Sequence, residues 1–329
     1  DDRPRFDGPR PPRQDDRPRS DAPRPPRQDD RPRFDGPRPP RQDDRPRFGD
    51  RRPDRPTGPR DAAAPRAVDS PADRGAALPP DVITGAHAVE SLVRYKPGRV
   101  KEIFAWAAEP RLMARLVDLA SEKGLRLMRE PPPGIDPAAP NPQGVAVRVT
   151  PFEYRDLDEL VPVTGAKPGT LVLALDSITD PRNLGAILRS AAFFEATAVV
   201  MPQDRAAEVT SLVERVAEGG SAVVPVVRVV NLARTLKALA ERGVEVVGTA
   251  LDGATGDFRD HRFGNATALV LGAEGPGIRP LVRKSCDVIL TLAGPQTMPS
   301  LNVSAFATLA LASARGAVGS EGGGSPRRP

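Results

Sequence analysis

Residues 268–278 read ALVLGAEGPGI. An apolar run breaks into a loop carrying Gly272, Gly275 and Gly277, residues that let backbone come close to a ligand. The spacing is G-x-x-G-x-G, whereas dinucleotide folds use G-x-G-x-x-G. Glu274 stands among these glycines at the end of an apolar run. Packing does not account for a carboxylate there, so a polar partner is expected, with Arg189 the candidate. A buried strand that ends in such a loop is a strand-to-helix turn. In open parallel sheets, ligands sit beyond those turns.

Outward from this stretch, the chain alternates regularly from residue 170. Strands are expected at 171–176, 197–201, 223–227, 244–250, 268–271 and 288–292, and helices at 184–195, 206–218, 232–242 and 301–315. Continuous Val and Leu runs bounded by helices predict an α/β domain whose parallel sheet is buried on both faces.

Two more turns carry polar residues. Residues 176–189 read DSITDPRNLGAILR, where Pro181 disfavours helix at Asp180 and Asn183 is the expected cap of a helix from Leu184. Arg189 follows six residues later, about 240° round an ideal helix, so the two meet only if Asn183 lies in the loop. Residues 290–305 read LTLAGPQTMPSLNVSA, with Ser300 the expected cap of the last helix and Asn302 and Ser304 beside it. Each turn alone also reads as an ordinary capped helix.

Upstream, residues 81–150 predict a smaller α/β unit. A helix-like spacing runs over 83–95, strands are expected at 100–106 and 125–128, and a helix at 110–123. A proline-rich loop covers 131–142, and 144–149 alternates like an exposed edge strand. Residues 151–169 read as a linker.

Residues 1–80 have another character. The 14-residue unit DDRPRFDGPRPPRQ (1–14) recurs at 15–28 with Ser20 and Ala22 substituted, recurs unchanged at 29–42, and decays near Gly49. Proline density and scarce apolar residues predict a disordered tail, and the same holds for 319–329. Arg with Phe6, Phe34 and Phe48 suits RNA phosphates and bases, while a solubilising extension fits equally well. Residues 1–60 hold 18 Arg and 13 Asp with no Lys or Glu, so they account for the whole formal charge of +5. The rest is balanced, and RNA affinity there must come from local patches. One cysteine and two histidines argue against a disulfide, a cysteine cluster or a His-rich zinc site, so no metal is expected. The hydrophilic start and the lack of a long apolar run predict a soluble cytoplasmic protein without a membrane partner.

Taken together, 180–189 (DPRNLGAILR), 269–278 (LVLGAEGPGI) and 300–304 (SLNVS) resemble, in order and spacing, the three signature motifs of the SpoU (TrmH-like) family of RNA ribose 2′-O-methyltransferases, within the SPOUT class. Residues 226–236 also resemble that family. Gly85–Val89 and Gln143–Val145 resemble its N-terminal substrate-binding domain, which is similar to a small ribosomal-protein fold. The resemblance covers about 235 residues and leaves out the tail. It implies a methyltransferase domain over 170–318 with a deep trefoil knot, an exception to the usual unknotted topology. It also implies S-adenosylmethionine as cofactor, RNA as partner, and a homodimer with the site completed across its interface. Gly272, Gly277, Leu292 and Leu301 would line the donor pocket, and Asn183, Arg189, Glu274, Ser300 and Asn302 would form the catalytic set. Departures occur at Leu292-Ala293-Gly294, where the family opens its third motif with Ile-Pro-Met, at Pro142 in place of a His, and at Arg215 in place of a Lys.

No His or Cys stands in the three motifs, and an arginine is too basic to accept a proton. Arg189 is therefore expected to stabilise the developing alkoxide and bind the adjacent phosphate, with Glu274 orienting it. The N-terminal unit favours 23S ribosomal RNA as substrate; transfer RNA is the alternative. A nucleotide-binding oxidoreductase lacks its phosphate-loop spacing here. A catalytically silent RNA-binding or ribosome-assembly factor fits the altered 292–294 segment.

Overall fold

A computed structural model of the chain describes residues 79–135, 143–292 and 294–317. The repeats, the 319–329 end, Pro142 and Ala293 lie outside the described residues, as does the expected tail apart from Pro79 and Pro80.

The N-terminal elements are β1 (Val82–Thr84), α1 (Ala86–Tyr95), β2 (Val100–Ala105), α2 (Pro110–Lys123), β3 (Leu127–Met128) and β4 (Val145–Val149). They form a four-stranded sheet of order β1-β4-β2-β3. Gly85 starts α1 at φ 105°, a left-handed angle that glycine takes without strain. Leu92 of α1 and Leu116 of α2 cover the sheet from the side of Ile83 and Ile103. The expectation of an exposed edge strand at 144–149 is corrected: β4 pairs antiparallel with both β1 and β2, and four of its five residues are buried. Its apparent alternation arises from Ala146, a small residue buried on the second face beside Val82 and Phe104.

The intervening stretch is not a free linker. Helix α3 (Leu157–Leu160) buries Leu157, and Phe152 and Tyr154 pack against the larger core edge to face at 5.1 Å.

The second set comprises β5 (Leu171–Asp176), α4 (Pro181–Phe193), β6 (Ala198–Pro202), α5 (Ser211–Val216), α6 (Gly220–Val223), β7 (Val226–Val229), α7 (Leu232–Glu241), β8 (Glu245–Thr249), β9 (Gly256–Asp257), β10 (Thr267–Gly272), α8 (Pro280–Arg283), β11 (Val288–Thr291) and α9 (Val303–Ala314). Its seven strands run in the order β7-β6-β5-β10-β8-β11-β9, and every pairing is parallel. Strand residues alternate between two cores. Leu171, Leu173, Leu175, Leu269 and Leu271 face the side covered by α4 and α9. Val172, Ala174, Ala268 and Val270 face the side covered by α7. This two-sided burial is why the strands read as unbroken apolar runs, each buried Leu or Val contributing about 1.5–3 kcal/mol.

Strands β10 and β11 are laid down late yet insert between neighbours already placed: β10 between β5 and β8, β11 between β8 and β9. Both insertions fall where the SPOUT-class knot is expected.

Several boundaries shift for local reasons. Helix α4 begins at Pro181, and Asp180 rather than Asn183 caps it by accepting from Arg182 N at 2.8 Å. Helix α9 begins at Val303, capped by Asn302 rather than Ser300. The helix expected over 206–218 is confined to α5, and the strand expected at 223–227 begins only at Val226. Between them Glu218 and Gly219 are left-handed and the short α6 intervenes.

The two sheets are joined by a buried ion pair. Arg99 Nη1 and Nη2 donate to Glu214 of α5 at 2.8 and 3.0 Å, Nη2 also donates to Thr150 O, and the guanidinium lies over Phe152.

Candidate functional site

The carboxyl ends of β8, β10 and β11 open onto a cavity of about 450 Å³. Its wall is the glycine loop after β10, the 300–303 segment, the turn after β8, and the side chains of Leu290, Leu292 and Phe306. A volume in this range is typical of small-molecule sites.

Local sequence explains the loop's shape. Gly275 and Gly277 sit at φ 86° and 66°, and Gly277 N donates to Ala273 O at 3.0 Å, which closes a tight turn. A Cβ on Gly272 would lie 2.1 Å from the Gly277 carbonyl carbon, so only glycine fits where the turn folds back on its strand. Beyond the turn, Arg279 donates through its backbone N and its Nε to the fully buried Asp176 at the end of β5, each at 2.7 Å. The loop is thereby tied at both ends. Asp176 closes the apolar run 171–175, the same sequence signal that singles out Glu274.

Gly272, Gly277, Glu274, Leu292, Ser300, Leu301 and Asn302 all line the cavity. Glu274 Oε1 accepts from Asn302 Nδ2 at 2.8 Å, from Val303 N at 3.3 Å and from Asn183 Nδ2 at 3.4 Å. Asn302 Nδ2 also donates to Asn183 Oδ1 at 3.1 Å. The carboxylate thus sits at the N-terminus of α9, where the free backbone N–H groups favour a negative charge. Asn183 reaches this cluster from the first turn of α4, not as the cap of that helix.

Arg189 does not join them. Its Nη1 pairs with Glu218 at 3.0 Å, and it is absent from the cavity wall. The expected Glu274–Arg189 pair is therefore corrected: the partners of Glu274 are two amides and a helix terminus. The roughly 240° phase between Asn183 and Arg189 carries the arginine to another side of α4.

The turn after β8 was missed. Thr249 to Asp252 line the cavity, and Arg283 Nη2 donates to the carbonyls of Asp252 and Gly253 at 2.8 and 2.6 Å. The sequence there, GTALDG over 248–253, carries a carboxylate beside glycines after an apolar run, the same kind of signal as at Glu274. Within the departing 292–294 segment, a Cβ on Gly294 would stand 2.2 Å from Met298 O, so the backbone there takes glycine. Among the described residues there is no group of three or more His, Cys, Asp or Glu placed to hold a metal, and no helix long and apolar enough to cross a membrane.

Known proteins resemble this chain in sequence and fold. A model of the SpoU rRNA Methylase family matches residues 170–312. The 23S rRNA (guanosine-2′-O-)-methyltransferase RlmB of Photobacterium profundum is 39% identical over 228 residues, spanning 68% of this chain and 92% of that protein. The protein of the same name from Pseudomonas syringae pv. tomato is 42% identical over 229 residues, 68% of this chain and 90% of its own. Among solved structures, the SpoU methyltransferase AviRb from Streptomyces viridochromogenes in complex with the cofactor AdoMet superposes with a TM-score of 0.58 at 23% identity, covering 71% of this chain and 88% of that one. An AdoMet-bound rRNA methyltransferase from Sinorhizobium meliloti gives 0.58 at 20% identity, covering 73% and 88%. At those identities the structural likeness is one of fold. With the motifs, the parallel sheet and the sequence relatives in agreement, the chain belongs to the SpoU rRNA methylase family.

Proposed function

We propose that this chain is an S-adenosylmethionine-dependent methyltransferase acting on a ribose 2′-hydroxyl, with 23S ribosomal RNA as its substrate and the cytoplasm as its place of action. The observation that carries this reading is the joining of Asn183, Glu274 and Asn302, one from each motif, at the wall of a glycine-cradled cavity. The relatives' activity on 23S rRNA supports the substrate.

The cavity suits the donor. The glycine loop brings backbone to its wall, and Leu290, Leu292 and Phe306 give an apolar face for a purine. When bound, S-adenosylmethionine supplies an electrophilic methyl on a positively charged sulfur. Gly272, Gly277, Leu292 and Leu301 hold it, largely by backbone. Glu274 fixes the amides of Asn302 and Asn183 and the first turn of α9. Asn302 and the exposed Ser300 hydroxyl then face the ribose. Arg189 stabilises negative charge on the 2′-oxygen and binds the neighbouring phosphate, and the hydroxyl proton leaves to phosphate or water.

Arg189 stands outside the cavity of its own chain, so the site lacks this cation until a second copy supplies it. A homodimer with sites completed across the interface follows from this reading. Leu292, within the departing 292–294 segment, lines the cavity, which supports donor binding despite the departure. Isothermal titration with S-adenosylmethionine tests the reading: one site per chain is expected, and no binding would favour the catalytically silent RNA-binding factor.

A further inference from the structure

The turn joining α5 to α6 is wedged between two helices. A Cβ on Gly219 would lie 2.2 Å from Ser91 Oγ of α1, and one on Gly220 would lie 2.8 Å from the Cα of Arg189 in α4. Both positions need glycine for close approach. The residue before them is Glu218, at φ 46° in the left-handed region. A helix ending in this conformation favours glycine or asparagine there, and a glutamate is strained. Nothing in the packing of the turn calls for that side chain.

Its carboxylate makes two contacts across the turn. Glu218 Oε2 lies 3.0 Å from Arg189 Nη1 and 3.6 Å from Nδ1 of His87, a residue of α1. Arg189 is 60% exposed, and its contact with Glu218 is an ion pair made through Nη1. A one-nitrogen contact of this kind biases the guanidinium towards the α5–α6 turn and leaves the rest of its fork open to a phosphate or alkoxide.

We infer that Glu218 is a positioning residue for Arg189, aiming the arginine from one nitrogen and registering it against His87 of the N-terminal sheet unit. This rests on the proposed role of Arg189 in methyl transfer. RNA held by the N-terminal unit would then meet an arginine whose direction that unit helps to set.

The test is steady-state methyl transfer to 23S rRNA by the full chain, with thermal unfolding measured alongside, for Glu218→Gly, Glu218→Gln and His87→Ala. Both Glu218 variants are expected to lower kcat roughly two- to five-fold, the scale of an exposed ion pair, with donor affinity unchanged. His87→Ala should give a smaller loss of the same kind. Neither Glu218 variant should lower Tm, since glycine relieves the left-handed strain and glutamine keeps the backbone as it is. Unchanged kcat in both Glu218 variants would overturn the inference, as would a fall in kcat that merely tracks a fall in Tm. Failure of the unaltered chain to transfer methyl at all would instead overturn the functional reading, and this inference with it.

Discussion

Asn302 and Asn183, 119 residues apart in sequence, are hydrogen-bonded to each other at 3.1 Å, and both donate to Glu274 Oε1. This carboxylate therefore organises three separate turns. Glu274→Ala should lower kcat/KM for methyl transfer about ten-fold or more, because hydrogen bonds to a charged group are worth ~1.5–3 kcal/mol and part of that is screened at an exposed site. Glu274→Gln should fall between, since its amide oxygen still accepts. Initial-rate assays on 23S rRNA fragments check both, and an unchanged rate for the alanine variant would remove Glu274 from the site.

Gly272→Ala places a methyl 2.1 Å from the backbone of Gly277, and backbone cannot move aside as a side chain can. The variant should lose about 1–3 kcal/mol of stability and most of its affinity for S-adenosylmethionine, read by urea unfolding and calorimetry. Affinity equal to that of the parent chain would show that the loop does not shape the cavity.

The Arg99–Glu214 pair is nearly inaccessible, with side chains 5% and 4% exposed. Glu214→Ala leaves a buried guanidinium unpaired and should destabilise the chain by about 3–5 kcal/mol. Replacing both partners, as Arg99→Met with Glu214→Leu, should recover much of that loss. Equal instability of the single and double variants in urea would contradict the explanation.

Most of the second sheet was legible in the sequence, and the reason is specific. In β5, Leu171 to Asp176 are buried on both faces, so the strand prints an apolar run with nothing to confuse it. The same rule concealed β4, whose position between two partners depends on pairing with residues about 45 and 65 places upstream, information that no local pattern holds. The site was legible where chemistry jarred with context, as at Glu274 among glycines. Arg189 was misplaced because its partner, Glu218, is set by a left-handed turn at a residue type that does not announce one. The wall after β8 was legible too, through Asp252 between Gly248 and Gly253, but its apolar run reads first as plain strand.

Cys286 offers a test through pH. Burial, with Asp287 beside it, pushes the thiol up to about 12, and its Sγ donates to Val282 O at 3.4 Å. The folded value lies above the unfolded ~8.5, so its contribution to stability is complete below that pH and is lost as pH rises towards the folded value. At pH 8.5 the folded chain should react with iodoacetamide at least about 100-fold more slowly than the unfolded chain, because only the thiolate attacks. Comparable rates would place the thiol in a more open environment.

The most direct test of the account is transfer of labelled methyl from S-adenosylmethionine to unmodified 23S rRNA, with transfer RNA in parallel, followed by alkaline hydrolysis to reveal 2′-O-methylation. One alkali-resistant linkage in 23S rRNA, lost in the Arg189→Ala variant, is the predicted result. Label on a base, or no transfer despite bound donor, would contradict it.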